Sequence, residues 1–571
     1  MKLAAPQATL DKRADGSMLL RSPQKLAPYA RCVTEWLLQW SDQAPERAFL
    51  AERTPAGPWR TTKYRETYGA VRRIGQALLD RKLGAERPVA ILSDNGIDHA
   101  LLSLGAMHVG VPVAPISPAY SLMSKDFGKL KAIFELLQPG LVYAADPQKF
   151  GPALEAVGAK SVSVPEMLET NPGSTLEREF SRITSTTIAK ILFTSGSTGT
   201  PKGVINTHRM LCANQQMMAQ CWPFIEERAP VVVDWLPWNH TFGGNHNFNM
   251  VLRNGGTLYI DGGKPVPGLI ETTARNLAEV APTMYFNVPR GFDLLLPFLE
   301  KDAALRHNFF RDLDMVFYAA AALPQNLWDR LIALSKLEKK APAMLSAWGS
   351  TETSPLATSV HFKMERPGVI GLPVAECELK LVPSAGKLEV RVRGPNVMPG
   401  YYKRPDLTAA AFDEEGFYRI GDAVKLADPA DPTKGIVFDG RVAEDFKLGT
   451  GTWVHVGALR VRLIAAGDPL IQDAVITGHD RDEIGALVFL SPAAKALGFN
   501  DLKNRLQKIL ESHDKEPSST RVTRLMVMSE PPSIDANEIT DKGYMNQRAV
   551  LERRSALVEK MYSEKDKVVT S

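Results

Sequence analysis

At 571 residues the chain exceeds what one hydrophobic core supports, so at least two domains are expected. Its 68 basic residues against 64 acidic ones leave a net charge of only +4, with no concentrated basic face, which argues against a nucleic-acid partner. Four cysteines, Cys32, Cys212, Cys221 and Cys377, are too few for a disulfide framework and match no zinc spacing, so reduced thiols in a cytoplasmic setting are expected. Residues 1–30 have scattered charges and no signal-peptide core, and no run of about 20 apolar residues occurs anywhere, so no membrane span is expected.

Residues 1–30 read as polar and irregular. Val33, Trp36, Leu37 and Trp40 then mark a helix, and Tyr68, Val71, Ile74 and Leu78 mark another across Thr62–Leu79. Pro88–Leu92 and Val111–Ile116 read as strands, Gly96–Val109 and Met123–Leu137 as helices. Strand alternating with helix over this distance predicts a largely parallel sheet covered on both faces. Ile188–Phe193 is another buried strand. It empties into Thr194, Ser195, Gly196, Ser197, Thr198, Gly199 and Thr200, closed by Pro201, Lys202 and Gly203, with a helix expected after. Glycines let backbone N–H groups approach a phosphate, hydroxyls donate further hydrogen bonds, and lysine adds a point charge. The spacing is not that of a Walker A loop.

Val231–Leu236, Thr257–Ile260, Met315–Ala319 and Met344–Trp348 continue as strands. From Glu376 the texture changes. Glu376–Leu381 and Lys387–Val392 alternate polar and apolar around Pro383–Gly386, which predicts an antiparallel hairpin and a small β subdomain. Beyond Arg441 strands are expected near Ala474–Thr477, Ile484–Leu490 and Val522–Met528, and helices over Leu502–His513 and Thr540–Tyr562. The basic pairs Lys339–Lys340 and Arg553–Arg554 read as solvated helix faces.

The glycine-hydroxyl loop resembles, almost residue for residue, the phosphate loop of the adenylate-forming (AMP-binding) family of acyl-CoA synthetases, luciferases and peptide-synthetase adenylation domains. Four further stretches resemble that family in the same order. In Trp348–Gly349–Ser350–Thr351–Glu352 the resemblance implies that Trp348 stacks on adenine, Thr351 bonds the α-phosphate and Glu352 holds Mg²⁺; a hard cation with a carboxylate ligand suits triphosphate chemistry. Trp238–Asn239–His240–Thr241–Phe242–Gly243–Gly244 resembles the aromatic segment beside the acyl pocket, with His240 in the site. Ala320, Ala321 and Ala322 fall where relatives line the adenine edge with Gly and Ala, and the extra methyl narrows that slot. Gly394–Tyr402 is similar to a long family signature and reads as shaping the β subdomain rather than as chemistry. In Gly416–Asp422 the resemblance implies that Asp422 binds the ribose hydroxyls, with Arg441 near ribose or phosphate. Asp439–Lys447 resembles the hinge, Glu444 being the turning residue, and Lys447 belongs to the nucleotide set. Lys542 is the loop lysine expected to contact the carboxylate and α-phosphate.

What the resemblance implies is an α/β chain: a large N-terminal domain of parallel α/β sheets over 1–439, including a β subdomain over 375–439, a hinge at 440–446, and a small mobile C-terminal α/β domain over 447–571. The implied activity uses ATP, Mg²⁺ and coenzyme A to convert a small carboxylic acid to an acyl-AMP and then a thioester. Gly421–Lys447 and Glu538–Arg554 look like bacterial feruloyl-CoA synthetases, which implies an aromatic acid, ferulate or a related hydroxycinnamate. The alternatives are a medium- or long-chain fatty acyl-CoA ligase and an enzyme loading a carrier-protein thiol. Because no carrier-protein domain follows Ser571, free CoA is the acceptor expected; a homodimer is left open.

Overall fold

Val89–Leu92, Val113–Ile116 and Leu141–Ala144 lie parallel, and every residue in them is buried. The computed structural model describes residues 2–195, 200–364, 367–384, 386–540, 543 and 545–571. Alternate residues of Val89–Leu92 enter different cores. Val89 and Ile91 pack with Val71, Ile74 and Leu102 of the helices Tyr64–Asp80 and Ile97–His108, whereas Ala90 and Leu92 pack with Leu130 and Ile133 of the helix Gly128–Leu137. Burial on both faces is why these strands read as continuous apolar runs. Ile188–Ser195 joins the same sheet beside Val113–Ile116, and Pro201–Thr207 folds back antiparallel on it. The glycine-hydroxyl loop is therefore a hairpin tip, followed by a strand and not directly by a helix. The helix His208–Cys221 starts later because Thr207 caps it, its Oγ1 accepting from the Met210 N–H at 3.4 Å.

Among the described residues the strands form five sheets. A second sheet orders Val231–Asp234, Thr257–Ile260 and Ala48–Arg53 in parallel, with Trp59–Lys63 antiparallel at its edge. The largest has eleven strands. Met284–Asn287, Met315–Tyr318 and Ala343–Gly349 run parallel at one end. The sheet then turns antiparallel through Leu356–Val360, Val369–Pro373, Ile436–Arg441, Tyr418–Leu426, and the expected hairpin Lys387–Arg393 with Glu378–Ser384. The β region thus shares one continuous sheet with part of the α/β body.

Two expectations are corrected at its outer edge and in the C-terminal region. Residues 9–21 are not irregular: Thr9–Lys12 and Met18–Arg21 form a hairpin paired to Glu378–Ser384, with Leu20 opposite Leu379, both fully buried. The run Leu19–Leu20 is too short to announce a strand; its partner lies far along the chain. The helix expected over 540–562 is two, Gln547–Arg553 and Ser555–Ser563. Arg554, at the break, is buried and not solvated. Its Nε and Nη2 donate to Glu538 Oε1 and Oε2 at 2.6 and 2.8 Å, and Arg553 Nη1 donates to Oε2 at 2.6 Å. A buried carboxylate needs such pairing. These helices pack on one face of the fourth sheet, Ile471–Thr477, Ile484–Leu490, Val522–Met528 and Val568–Thr570, and Val456–Ala466 and Phe499–His513 pack on the other.

All four cysteines are buried free thiols. No helix among the described residues is long and apolar enough to cross a membrane.

Candidate active site

The hairpin carrying the glycine-hydroxyl loop is zipped to the segment around Tyr401. Tyr402 N–H donates to Gly203 O at 2.7 Å and Ile205 N–H to Gly400 O at 3.2 Å. Gly203 is required at this crossing, since a Cβ there would lie 2.9 Å from the Ile191 side chain. The pairing puts Thr194 opposite Lys202, whose Nζ sits 5.4 Å from the centre of the Tyr401 ring. Gly196, Ser197, Thr198 and Gly199, with the Ser195 side chain, lie outside the described residues.

Tyr401 links this hairpin to the second motif: its hydroxyl donates to Glu352 Oε1 at 3.1 Å. The strand Ala343–Gly349 ends at a glycine with φ +159°, where a Cβ would fall 1.7 Å from Pro355 O. Thr351–Thr353 follow as one short 3₁₀ turn, with Ser350 N–H donating to Thr353 Oγ1 at 2.8 Å. The Ser350 hydroxyl is buried without a partner among the described residues. Thr351 and Glu352 are buried, and Glu352 O accepts from Met398 N–H at 2.8 Å. Residues 394–402 therefore do more than shape the β region, because Met398 and Tyr401 hold Glu352 in place.

Trp348 Nε1 donates to Asp422 Oδ2 at 2.9 Å, and Arg441 Nε lies 3.0 Å from Asp422 Oδ1. Asp422 and Arg441 are cross-strand partners, which is why their side chains meet. Burial raises the Asp422 pKa, and Arg441 and the Trp348 hydrogen bond oppose that rise. Each carboxylate oxygen keeps a second lone pair for another donor. Ala320, Ala321 and Ala322 form an exposed loop after Met315–Tyr318, and Ala320 has φ +75°, a conformation natural to the glycine of relatives.

His240 is half-buried, its Nε2 3.4 Å from Asn239 Nδ2. A wide-turn π-helix, Phe242–Asn247, opens just after it. Cβ atoms on Gly243 and Gly244 would lie 2.2 Å from Leu236 O and 2.3 Å from Trp238 O, so both glycines are needed for this close turn. Asn95 clamps its base, donating to Leu236 O and accepting from Trp238 N–H, both at 2.9 Å. From beneath, Lys190 Nζ donates to Gly244 O at 2.9 Å and Asn245 Oδ1 at 3.3 Å. Burial brings the Lys190 pKa down to about 7. Lys190 lay unnoticed inside an apolar strand in the sequence; a lysine within such a run was the signal available.

The hinge candidate Glu444 is drawn back on Arg441, its N–H donating to Arg441 O at 3.3 Å, and burial raises its pKa. Its neighbour Asp445 has the firmer contacts. It pairs with buried Lys387, lies 2.9 Å from His455 Nδ1, and accepts from Val456 N–H at 3.1 Å, capping the helix Val456–Ala466. Lys447 is exposed, its Nζ 5.1 Å from the Trp453 ring centre. Lys542 lies outside the described residues. Upstream of it, Ile534 O and Asn537 Oδ1 accept from Lys129 Nζ at 2.6 and 3.3 Å, docking this part of the chain on the helix Gly128–Leu137.

Residues 37–402 match the family described as AMP-binding enzyme, and residues 455–566 match the AMP-binding enzyme C-terminal domain. The chain belongs to the AMP-binding enzyme family. It is 26% identical over 334 residues to a probable CoA ligase of Humulus lupulus, covering 54% of this chain and 52% of that protein. It is 30% identical over 261 residues to a long-chain-fatty-acid–CoA ligase of Escherichia coli O6:H1, covering 42% and 44%. The chain spans about half the length of these curated relatives. The solved structure of an anthranilate CoA ligase in complex with anthranoyl-AMP superposes with a TM-score of 0.73 at 19% identity, over 94% of this chain and 99% of that one. That likeness establishes the adenylate-forming fold, with its large N-terminal and smaller C-terminal parts.

Proposed function

We propose that the chain is an ATP-dependent carboxylate–CoA ligase that forms an acyl-AMP and then an acyl-CoA thioester, with ferulate or a related hydroxycinnamate as its acid. The observation that carries the reading is one connected cluster built from distant motifs. Lys202 stands over Tyr401, Tyr401 holds Glu352, and Trp348, one turn away, holds Asp422 and through it Arg441. A basic hairpin, a buried carboxylate and a carboxylate–arginine pair at one place suit a nucleoside triphosphate.

In this reading the phosphate loop and Lys202 receive the phosphates, Thr351 bonds the α-phosphate, and Asp422 with Arg441 takes the ribose beside Trp348. Glu352 fits a magnesium ligand. Its carboxylate accepts one hydrogen bond, from Tyr401, and no group of three or more acidic, His or Cys side chains that could hold a metal exists among the described residues, as expected where substrate phosphates and water complete an octahedron. When bound, the ion neutralises charge on the departing pyrophosphate. The acid, already ionised near neutral pH, needs no base; one of its oxygens bonds to the α-phosphorus as pyrophosphate leaves. The CoA thiol then bonds to the acyl carbon as AMP leaves. Lys542 steadies the first step, and the chain turns at 440–446, about Glu444, to admit the thiol for the second. The rings around Phe242 favour a flat acyl group over an alkyl chain.

Mass spectrometry of products from ATP, Mg²⁺ and CoA with hydroxycinnamates, benzoates and fatty acids tests the reading. Feruloyl-CoA or a near analogue is the expected main product. Thioesters of fatty acids alone would select the fatty acyl rival, and acyl-AMP that persists until a carrier protein is added would select carrier loading.

A further inference from the structure

His246 is a buried imidazole on the π-helix that opens beside His240, and its hydrogen-bonding state is fixed by a relay of two residues. Asp234 Oδ2 accepts from Asn247 Nδ2 at 2.8 Å, which turns the Asn247 carbonyl toward His246. Asn247 Oδ1 is 2.8 Å from His246 Nδ1. Since Oδ1 only accepts, Nδ1 carries the proton and Nε2 is left as a bare acceptor. That Nε2 is buried and has no hydrogen-bond partner among the described residues. Burial also brings the His246 pKa down to about 4, so the ring is neutral near pH 7.

Four rings surround it. Phe317, Phe242, Phe286 and Trp222 have centroids 5.0, 5.6, 5.7 and 5.8 Å away. Trp222 Nε1 is likewise buried and unpaired among the described residues. An aromatic box that contains one unmatched acceptor and one unmatched donor is unusual, because each such group costs free energy until something pairs with it. A hydroxyl both donates and accepts, and so can satisfy both. The box adjoins the candidate site. Phe242 follows His240 by two positions and is only half-buried, so the box opens on that side; Phe317 lies on the strand that runs into Ala320–Ala322.

We infer that His246 is the specificity-determining residue of the acyl pocket, its Nε2 accepting a hydrogen bond from a ring hydroxyl at the far end of an aromatic acid, so that the preferred substrates are phenolic. The inference rests on the proposed ligase activity toward aromatic acids.

The test compares kcat/KM for 4-hydroxycinnamate, 4-methoxycinnamate and cinnamate, with ATP, Mg²⁺ and CoA, in the full chain and in His246→Phe. The wild type is expected to favour the hydroxylated acid over both others by at least about tenfold, and His246→Phe to bring the hydroxy-to-cinnamate ratio to about one. An unchanged ratio in the variant overturns the inference, since the hydroxyl is then read elsewhere. Equal wild-type values for the hydroxy and methoxy acids overturn it without recourse to a variant, so a failure of His246→Phe to fold leaves the question decidable. Turnover of these acids without discrimination refutes only the role of His246. Turnover of none of them refutes the aromatic-acid reading, and this inference with it.

Discussion

Around Glu352 side chains meet through hydrogen bonds and charge, whereas around His246 they meet through ring edges. Tyr401, Glu352, Trp348, Asp422 and Arg441 engage one another at 2.9–3.1 Å. Their polar atoms are matched within the protein, so the geometry is set before a ligand arrives. In the box of Trp222, Phe242, Phe286 and Phe317 the shape is set by packing, while the polar atoms of His246 and Trp222 stay unmatched. Preorganised contacts suit a nucleotide that is the same in every turnover. Unmatched ones suit the part of a substrate that must be told from its analogues.

The largest expected effect breaks the polar half. Glu352→Gln removes a charge at nearly constant volume and should lower ATP–pyrophosphate exchange at least about a hundredfold, on the order of 3 kcal/mol, with little change in Tm. Exchange at the wild-type rate would disconnect that cluster from the chemistry.

Next comes the support beneath the aromatic half. Lys190 has a folded pKa of about 7, below its ordinary unfolded value, so the unfolded chain binds more protons between these limits. Stability associated with Lys190 therefore rises with pH above 7 and falls below it. Comparing wild type with Lys190→Met, which leaves no titrating group, the wild type should gain about 2 kcal/mol between pH 7 and 9. Parallel stability curves over that range would mean that Lys190 is charged in the folded protein.

Tyr401→Phe sharpens the polar side further. Losing one hydrogen bond to Glu352 should cost about 1 kcal/mol, about fivefold in exchange. A loss as deep as that of Glu352→Gln would instead make Tyr401 a direct contact of the reacting groups.

The smallest effect is at the loop joining the two halves. Ala320, at φ +75°, carries a left-handed conformation that glycine adopts without strain. Ala320→Gly should stabilise the chain by about 1 kcal/mol, read as a small rise in Tm in a scanning experiment. No rise would mean that the loop relaxes around the alanine.

The polar half was legible in the sequence because its residue types follow from the chemistry of phosphate and metal. Lys202, Glu352, Asp422 and Arg441 stand out where they occur, and the fold assembles their motifs. What could not be read was which of their neighbours bind them: Tyr401 looked like part of a structural signature, and its bond to Glu352 exists only because Val204 bridges Tyr401 across chain segments. The aromatic half was nearly silent. Phe317 and Trp222 are ordinary core residues in sequence, and His246 gains meaning only from the Asp234–Asn247 relay. The hairpin at residues 9–21 was missed for the same reason, its pattern being completed by Glu378–Ser384.

Asp445 offers a last consequence, in the time the protein spends in one arrangement. One of its oxygens caps the helix Val456–Ala466, and the other pairs with Lys387 on the large sheet, with both side chains nearly inaccessible to water. A rotation of the C-terminal region about this segment has to separate two buried ions, a step far costlier than parting an exposed pair. Such a latch makes the motion a discrete jump between long dwells. Because salt screens buried charges poorly, the dwell time should change little with ionic strength.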